Sequence, residues 1–570
     1  MSREFAFPGT QPKWAPDRAV ALRHLALALE VDPAARTIAG TVALHATVVH
    51  DEVRALELDA VELTVTAARV AGAPVGFRHD GARLRIELAT PAARGAELAI
   101  EVDYHGAPRR GLYFIAPDDG YPDKPTQVWS QGQDEDARYW FPCIDTPAAK
   151  ATTELTVTVP AGLFALSNGA LIADDARGDR RTMRWRLDAP HSPYLVTLAI
   201  GDFAALAARW RDVPVVYYVQ RGHEAAAART LARTPDMLEL FSTRLGVAYP
   251  YPRYAQVFVA DFIFGGMENT SATTLTDSLL LDERAALDYD VDALVAHELA
   301  HQWFGDLVTC RDWGEGWLNE GFATYFEYVW REHRDGRDAA DVELAAWAEA
   351  YFGEDAGRYR RTIATKRYDE PIDIFDHHLY DKGGRVLHML RDLLGDAAFW
   401  RALGHYLDAH RHGVVETRDL ARAVEAATGR NVDWFLSQWV QDGAGHPELA
   451  VAIAWDAAAG HAVVTVEQTH AVDAATPVFR LPTRVRFRVG AVDHELALEL
   501  TDVRHVARCA LPGAPSQAIF DPGQVLLAQV KVDKAEPLWI AELADAARIE
   551  AGGLVLNEDP FDLAELCIEV

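Results

Sequence analysis

The sequence predicts a multidomain α+β protein, because its periodicity changes twice along the chain. Residues 1–203 alternate apolar and polar side chains, as in 41–46, which is typical of an antiparallel β domain. Residues 204–445 carry mostly helical patterns and a few strands, which predicts a mostly helical domain with a small sheet along its cleft. Residues 446–530 alternate again, and we expect a small β-sandwich there.

The domain boundaries follow from length and chain breakers. A chain of 570 residues is too long for one hydrophobic core, so separate domains are expected. Residues 443–447, Gly-Ala-Gly-His-Pro, combine several breakers and predict a linker. Residues 531–570 begin with a helical pattern that then thins out, which predicts a partly helical C-terminal tail.

Composition narrows the class of partner. Acidic residues outnumber basic ones, 85 Asp and Glu against 55 Lys and Arg, giving a formal net charge of -30. This sign disfavours nucleic acid and anionic membranes as partners. The four cysteines show no paired spacing, which favours free thiols in a reducing compartment. Without a signal-peptide pattern or a run of about 20 apolar residues, we expect a cytoplasmic protein that does not bind membranes.

The stretch 297–301, His-Glu-Leu-Ala-His, carries the strongest chemical signal. His297 and His301 stand four residues apart in an apolar-rich run, 291–308, which predicts a helix. Residues with this spacing lie on one face of a helix, so both imidazoles can bind the same metal ion. Glu298 projects from the same site at a different angle. The pentapeptide by itself allows an alternative to a metal site, in which the two histidines are simply polar residues at the edge of the core.

A second stretch, 317–321, Trp-Leu-Asn-Glu-Gly, strengthens the metal interpretation. Glu320 opens another predicted helix, 318–333, and is the natural third ligand, because zinc hydrolases use three protein ligands and one open position. Zinc lowers the pKa of its water from about 15.7 to roughly 7, and Glu298 can then take the proton. We therefore predict one Zn2+ per chain. Glu327 lies on the same helix face, either orienting a zinc-bound imidazole or simply solvated.

With three further motifs, these stretches make the chain resemble the M1 family of zinc aminopeptidases. Residues 317–323 match the family's second motif residue for residue. Residues 265–269, Gly-Gly-Met-Glu-Asn, match its exopeptidase motif, with Gly266 where Ala or Gly is usual. Residues 380–383, Tyr-Asp-Lys-Gly, match the motif of the catalytic tyrosine, and 137–147 resembles a signature of the first domain.

The resemblance implies a thermolysin-like zinc catalytic domain that acts on peptides with a free N-terminus. Glu298 and Tyr380 would be catalytic, with the tyrosine hydroxyl stabilising the oxyanion of the tetrahedral intermediate. Glu268 with Gln133 would receive the α-ammonium group of the substrate. The paired glycines would let a backbone edge approach the peptide closely. The implied substrate-binding residues are Gln131, Gln133, Gly265, Gly266, Met267, Glu268 and Asn269.

One departure from the family pattern leaves related activities open. Relatives usually offer Gln-x-Glu to the amine, whereas residues 131–133 read Gln-Gly-Gln. The leukotriene hydrolase branch also resembles this pattern, so lipid epoxide hydrolysis, alone or beside peptide hydrolysis, is the alternative activity. A non-catalytic peptide-binding protein is the third alternative, and the intact set of Glu298, Tyr380 and the three ligands argues against it.

Three further features concern the C-terminal tail, a second metal and the oligomeric state. Larger members of the family continue from the sandwich into a helical domain, and the tail from residue 531 resembles its beginning. His377 and His378 beside Asp376 suggest a second metal, but their place in a loop near Tyr380 explains them as well, and we favour the loop. We expect a monomer and leave higher oligomers open.

Overall fold

The computed structural model describes residues 3–541, and the chain divides into two compact units. The first unit spans Met1–Gly445, and the second begins at His446. The division falls within the predicted linker 443–447. Most of the predicted tail, residues 542–570, lies outside the described residues.

An eight-stranded sheet dominates the N-terminal part of the first unit. Its strands alternate buried and more exposed side chains, which is the period of two seen in the sequence. In spatial order they are Ala170–Arg177, Arg180–His191, Ala151–Pro160, Val20–Asp32, Thr37–Val48, Glu97–Gly106, Thr64–Val70 and Ala73–Pro74.

The antiparallel expectation holds for every pair of this sheet except one. Val20–Asp32 and Ala151–Pro160 run parallel, with Leu27 opposite Leu155. Side-chain alternation reports which face is buried and is the same for both strand directions. The long chain segment between the two strands provides the crossover connection that parallel pairing requires.

Two smaller sheets complete the N-terminal part. Their strands are Glu52–Asp59, Arg83–Ala93 and Phe77–His79 in one, and Leu112–Ile115, Gln127–Ser130, Leu198–Gly201 and Phe164–Ser167 in the other. The second sheet and the residue after its strand Phe164–Ser167 are hydrogen-bonded to the part of the unit that follows in the sequence. Trp129 Nε1 donates to the Ala260 carbonyl at 3.0 Å, and Asn168 Nδ2 donates to the Thr270 carbonyl at 2.8 Å.

A five-stranded mixed sheet begins at Phe203, the predicted domain boundary. Its spatial order is Phe203–Trp210, Val213–Gln220, Tyr254–Val259, Ala272–Thr276 and Gly266–Met267. The two-residue strand Gly266–Met267 therefore lies at the edge of the sheet, antiparallel to Ala272–Thr276. This edge strand consists of the second and third residues of the Gly-Gly-Met-Glu-Asn motif.

Helices make up most of the rest of the first unit. They are α1 (Glu224–Thr230), α2 (Thr234–Leu245), α3 (Asp292–Ala300), α4 (Trp317–Asp335), α5 (Arg337–Gly357), α6 (Asp381–Leu394), α7 (Asp396–Ala409), α8 (Thr417–Thr428) and α9 (Asp433–Leu436). Short strand pairs join Arg3–Glu4 to Tyr359–Arg360 and Thr309–Cys310 to Val414–Val415. Within residues 3–541, the helices are too short or too polar to cross a membrane.

Helix α3 is shorter than the sequence predicts. The expected helix 291–308 ends at Ala300, and the Asp306 amide returns to the His301 carbonyl at 3.0 Å, which closes a turn. Gly305 in this turn has a φ of +132°. The apolar residues beyond Ala300, such as Trp303, are not helical but are buried in the turn. The apolar pattern therefore continues past the end of the helix, and this is why the predicted helix is too long. The second predicted helix, 318–333, is confirmed by α4.

The second unit contains two sheets within its described residues. The four-stranded sheet has the order Arg504–Ala510, His461–Gln468, Glu448–Asp456 and Gln529–Lys534, and the three-stranded sheet has the order Val492–Leu500, Leu481–Val489 and Gln517–Phe520. The last strand of the first sheet, Gln529–Lys534, crosses residue 530, where the sequence predicts the end of the sandwich. Pairing with Glu448–Asp456 makes 531–534 a strand, and residues 536–541 are helical.

Candidate active site

The three predicted metal ligands meet between α3 and α4. His297 lies in the last turn of α3, His301 directly follows that helix, and Glu320 lies in the first turn of α4. The Nε2 atoms of the two histidines are 3.1 Å apart. Glu320 Oε2 is 3.1 Å from His301 Nε2 and 3.4 Å from His297 Nε2. All three side chains are buried.

The separation of 3.4 Å matches a tetrahedral zinc site, and the two of 3.1 Å are slightly shorter than in such a site. Bonds of about 2.0–2.2 Å from zinc to nitrogen and oxygen place neighbouring ligand atoms roughly 3.3–3.5 Å apart. His297 Nδ1 lies 2.7 Å from Glu327 Oε1, and His301 Nδ1 lies 2.9 Å from the Phe304 carbonyl. A proton on each Nδ1 satisfies both contacts and leaves the two Nε2 lone pairs facing each other. A cation between them removes that repulsion.

The balance of buried charge also favours a cation. Glu268, Glu298 and Glu320 are all buried beside the two imidazoles. Burial raises the pKa of Glu298 to about 8 and also raises the pKa of Glu268. Burial lowers the pKa of His301, but the charges of Glu320 and Glu268 outweigh it and raise that pKa to about 9. Carboxylates therefore face the imidazoles across the cluster, and a metal ion bound by the imidazoles would balance the charge that a proton otherwise balances.

Glu298 packs directly against the edge strand. A Cβ atom on Gly266 would lie 2.1 Å from Glu298 Oε1 and 2.4 Å from its Cδ, so glycine leaves the room that this carboxylate occupies. Within residues 3–541, Glu298 Oε2 is buried without a hydrogen-bond partner. A buried carboxylate oxygen beside the three ligands can accept a proton from a water molecule.

Glu268 directly follows the edge strand and, like Glu298, has one carboxylate oxygen without a hydrogen-bond partner among the described residues. Its Oε1 atom is buried, and the described residues offer it no hydrogen bond. Its main chain is fixed, because the Glu268 carbonyl accepts from Gln302 Nε2 at 3.0 Å. The Oε1 atom of the same glutamine accepts from the Ser271 amide at 2.8 Å. A fixed, buried carboxylate of this kind can bind an ammonium group.

Gly265 and Asn269 flank the edge strand with Glu268. Gly265 has a φ of +82°, in the region that favours glycine, and its carbonyl accepts from the Thr276 amide at 2.9 Å. Asn269 Nδ2 donates to Thr274 Oγ1 at 3.1 Å. Gly265 therefore forms the turn before the strand, whereas Gly266 leaves room for the side chain of Glu298.

The two glutamines come from the N-terminal part and reach different partners. Gln133 Nε2 donates to Glu320 Oε1 at 3.1 Å, so it contacts a predicted metal ligand. Gln131 Nε2 lies 3.1 Å from Met267 Sδ. Gln131 Oε1 is buried and lacks a hydrogen-bond partner in the described part of the chain. The structure thus brings Gln133 to the predicted metal ligands and Gln131 to the edge strand, and the contact with Glu320 was not predicted from the sequence.

Tyr380 immediately precedes α6, and its ring centroid lies 6.1 Å from that of His297. Burial, together with the nearby charges of Glu320 and Glu268, raises the pKa of Tyr380 well above its ordinary value. The hydroxyl therefore stays protonated at neutral pH and can donate a hydrogen bond.

Three contacts of the site were missed by the sequence analysis. The Phe304 carbonyl orients His301 and carries no side-chain signal. Gln302, which holds the main chain of Glu268, is a polar residue inside an apolar run directly after His301, and this position was a usable signal. Asn319 Nδ2 donates to the Tyr194 hydroxyl at 3.2 Å across the two parts of the unit, which no local pattern indicates.

Two models of one peptidase family match this chain. The Peptidase M1 N-terminal domain matches residues 22–195, the strand-rich part, and the Peptidase family M1 domain matches residues 229–439, the part with the candidate metal site. The chain belongs to peptidase family M1.

Curated relatives agree with this assignment. The chain is 31% identical to Aminopeptidase M1 of Arabidopsis thaliana over 456 residues, which cover 75% of this chain and 50% of that protein. It is 28% identical to the Tricorn protease-interacting factor F2 of Thermoplasma acidophilum over 411 residues, which cover 70% of this chain and 50% of that protein. The chain thus spans about half the length of these relatives.

Proposed function

We propose that this protein is a zinc-dependent aminopeptidase, a hydrolase that removes the N-terminal residue from peptides. One arrangement carries the proposal: three convergent ligand atoms lie within 3.4 Å of one another, beside the edge strand that Glu268 directly follows. A metal ion held by these three atoms and the nearby unpartnered carboxylate of Glu268 would together select the end of a peptide, because only the terminal residue offers an α-ammonium group.

The proposed roles follow from the chemistry of each side chain. His297, His301 and Glu320 would hold one zinc ion, which supplies a Lewis acid and lowers the pKa of water. Glu298 takes a proton from the attacking water and later gives it to the leaving amine. Glu327 fixes the tautomer and orientation of His297 through Nδ1.

The remaining roles concern the substrate. Tyr380 donates its hydroxyl proton in a hydrogen bond to the oxyanion that develops on the scissile carbonyl. Glu268 accepts hydrogen bonds from the α-ammonium group, with Gln133 beside it. The edge strand Gly266–Met267 pairs with the extended peptide backbone, as sheet edges do in peptide recognition.

We also propose the fold of the catalytic part, the cellular compartment and the oligomeric state. The part from residue 204 to 445 is assigned a thermolysin-like fold, and the two sheets of the second unit are assigned to a β-sandwich. The enzyme is proposed to act in the cytoplasm as a monomer on peptides with a free N-terminus. The described cysteines, Cys143, Cys310 and Cys509, are free thiols, which supports a reducing compartment.

A panel of aminoacyl-arylamides tests this function. The wild-type protein should cleave them, lose the activity with a chelator and regain it with zinc, whereas the Glu298→Gln variant should stay inactive throughout. Acetylation of the substrate amine should abolish cleavage. Internal cleavage of a blocked peptide would identify an endopeptidase instead, and turnover of a lipid epoxide without arylamide cleavage would favour the alternative activity.

A further inference from the structure

A second cluster of buried ionisable side chains lies next to the turn that leads to Tyr380. Glu354, Asp376 and His378 place ligand-type atoms within 4.8 Å of one another. The cluster already contains a cation, because Arg361 Nε donates to Asp376 Oδ2 at 2.8 Å and its Nη2 donates to Asp376 Oδ1. This guanidinium compensates the carboxylate charge that a metal ion would otherwise need to balance.

Asp376 organises the turn before α6. Its Oδ1 atom accepts from the amides of His378 and Leu379, both at 3.0 Å. Its carbonyl accepts from the amides of Leu379 at 2.9 Å and Tyr380 at 3.2 Å. Helix α6 then begins at Asp381. One residue thus accepts four hydrogen bonds from the turn that presents the tyrosine.

Arg361 in turn holds Asp376 in place. The exposed fractions of the two side chains are only 3% and 2%. Arg361 Nη1 also donates to the carbonyls of Thr362 and Ile363, each at 2.8 Å, and Nη2 donates to the Ile374 carbonyl at 2.9 Å. The guanidinium therefore ties the segment at 361–363 to the segment at 374–376. A planar group with five fixed donors suits this task better than lysine would.

We propose that the buried Arg361–Asp376 pair is a positioning pair for Tyr380, because it fixes the turn that ends in this residue and so the direction of its hydroxyl group. The inference rests on the proposed function, in which that hydroxyl donates to the developing oxyanion. Hydrogen bonds weaken steeply with poor angles, so a small rotation of the turn costs transition-state stabilisation. Binding of the ground-state substrate is left largely unchanged.

The first test is Asp376→Asn, which keeps the shape of the side chain and removes its charge. We expect kcat to fall about 10-fold, KM to stay within about 2-fold and zinc to remain at one ion per chain. A phosphonate analogue of the tetrahedral intermediate should bind more weakly by the same factor as kcat falls. An active, folded variant with unchanged kcat and analogue affinity would overturn the proposal.

The deciding test repeats this change in a Tyr380→Phe background. If Asp376 acts through the tyrosine hydroxyl, the second substitution should lower kcat by less than about 2-fold once the hydroxyl is gone. A full further 10-fold loss would show that Asp376 acts elsewhere. Should Asp376→Asn fail to fold, Tyr359→Phe serves instead, because it removes only the hydroxyl that donates to Asp376 Oδ2 at 3.0 Å.

Glu332→Gln is the matched control. Glu332 accepts from Arg391 Nη1 at 2.8 Å, and Arg391 is a buried arginine at the far end of α6. This variant should leave kcat unchanged, which separates positioning from general loss of stability. An inactive, zinc-loaded wild type would defeat the proposed function itself, whereas an active wild type with additive losses would defeat only the positioning pair. Two zinc ions per chain, with one lost in Asp376→Asn, would also overturn it.

Discussion

Gly321 and Gly383 bring the helix that carries Glu320 into backbone contact with the helix that follows Tyr380. A Cβ atom on Gly383 would lie 3.0 Å from Gly321 Cα, and one on Gly321 would lie 3.1 Å from Gly383 Cα. Such close approach of two main chains requires glycine on both sides. Because Gly321 follows Glu320 and Gly383 lies in the first turn after Tyr380, this contact sets the spacing between these two proposed site residues.

Substitution at this contact should damage both packing and activity. In Gly383→Ala, the new methyl group pushes α6 away from α4, at a cost of about 1–3 kcal/mol in the free energy of unfolding. A displacement of about 1 Å near the reacting groups can lower kcat roughly 100-fold. Urea unfolding and steady-state kinetics measure the two effects.

Gly353→Ala on α5 is the control for that substitution. It also adds a methyl group to a helical glycine, but nothing lies within 4 Å of the new atom. It should leave kcat unchanged and gain up to about 1 kcal/mol from helix propensity. If Gly383→Ala behaved like this control, the close contact would have no functional consequence.

Substitution of Glu320 should abolish metal binding, whereas substitution of Glu298 should abolish hydrolysis and leave metal binding intact. Glu320→Ala should lose zinc, because it removes one of three ligands, whereas Glu298→Gln should retain one zinc per chain and lose roughly 10²–10⁴-fold in kcat. Elemental analysis and arylamide hydrolysis provide the two readings. Full zinc occupancy in Glu320→Ala would exclude this residue as the third ligand.

Glu327→Gln should weaken zinc binding without removing a ligand. The amide oxygen can still accept from His297 Nδ1, but the charge that raises the basicity of Nε2 is lost, so we expect about 10–100-fold lower affinity. Competition with a chromophoric chelator measures this change. Glu349→Gln on the exposed surface of α5 should leave the affinity unchanged, and an equal loss in both variants would point to a general effect of charge.

Tyr380→Phe removes one oxyanion donor and little volume. We expect kcat to fall by about 10²–10³-fold with KM nearly unchanged, because the lost hydrogen bond forms only in the transition state. Steady-state kinetics at saturating zinc measure it. Near-normal kcat would mean that the metal site alone stabilises the oxyanion.

His388 should make the protein sensitive to acid. Burial, with the charge of Arg385, lowers its pKa to about 2 from an ordinary 6.5, so between these values the unfolded chain binds a proton that the folded chain does not. Stability therefore falls as the pH drops below 6.5, by about 1.4 kcal/mol per unit. From pH 7.5 to 5, wild type should lose about 2 kcal/mol more than His388→Phe, measured by urea unfolding. Equal losses would show that His388 does not contribute.

Local spacing explains what could be predicted from the sequence. The interval between His297 and His301 places their rings together on any helix, and the structure shows their Nε2 atoms 3.1 Å apart. The alternation in strands such as Thr37–Val48 likewise depends only on neighbouring residues. The position of Glu320 beside the two histidines could be predicted because three-ligand zinc sites need a third side chain and a predicted helix supplied one nearby.

Other features depend on residues that are distant in the sequence, so only the tertiary structure decided them. Gln133 and Glu320 are 187 positions apart, yet their side chains are hydrogen-bonded. The parallel pairing of Val20–Asp32, the early end of α3 and the buried ion pair of Arg361 with Asp376 are of the same kind. Periodicity encodes which face of an element is buried, whereas the partner that a buried polar group finds depends on how the whole chain packs around it.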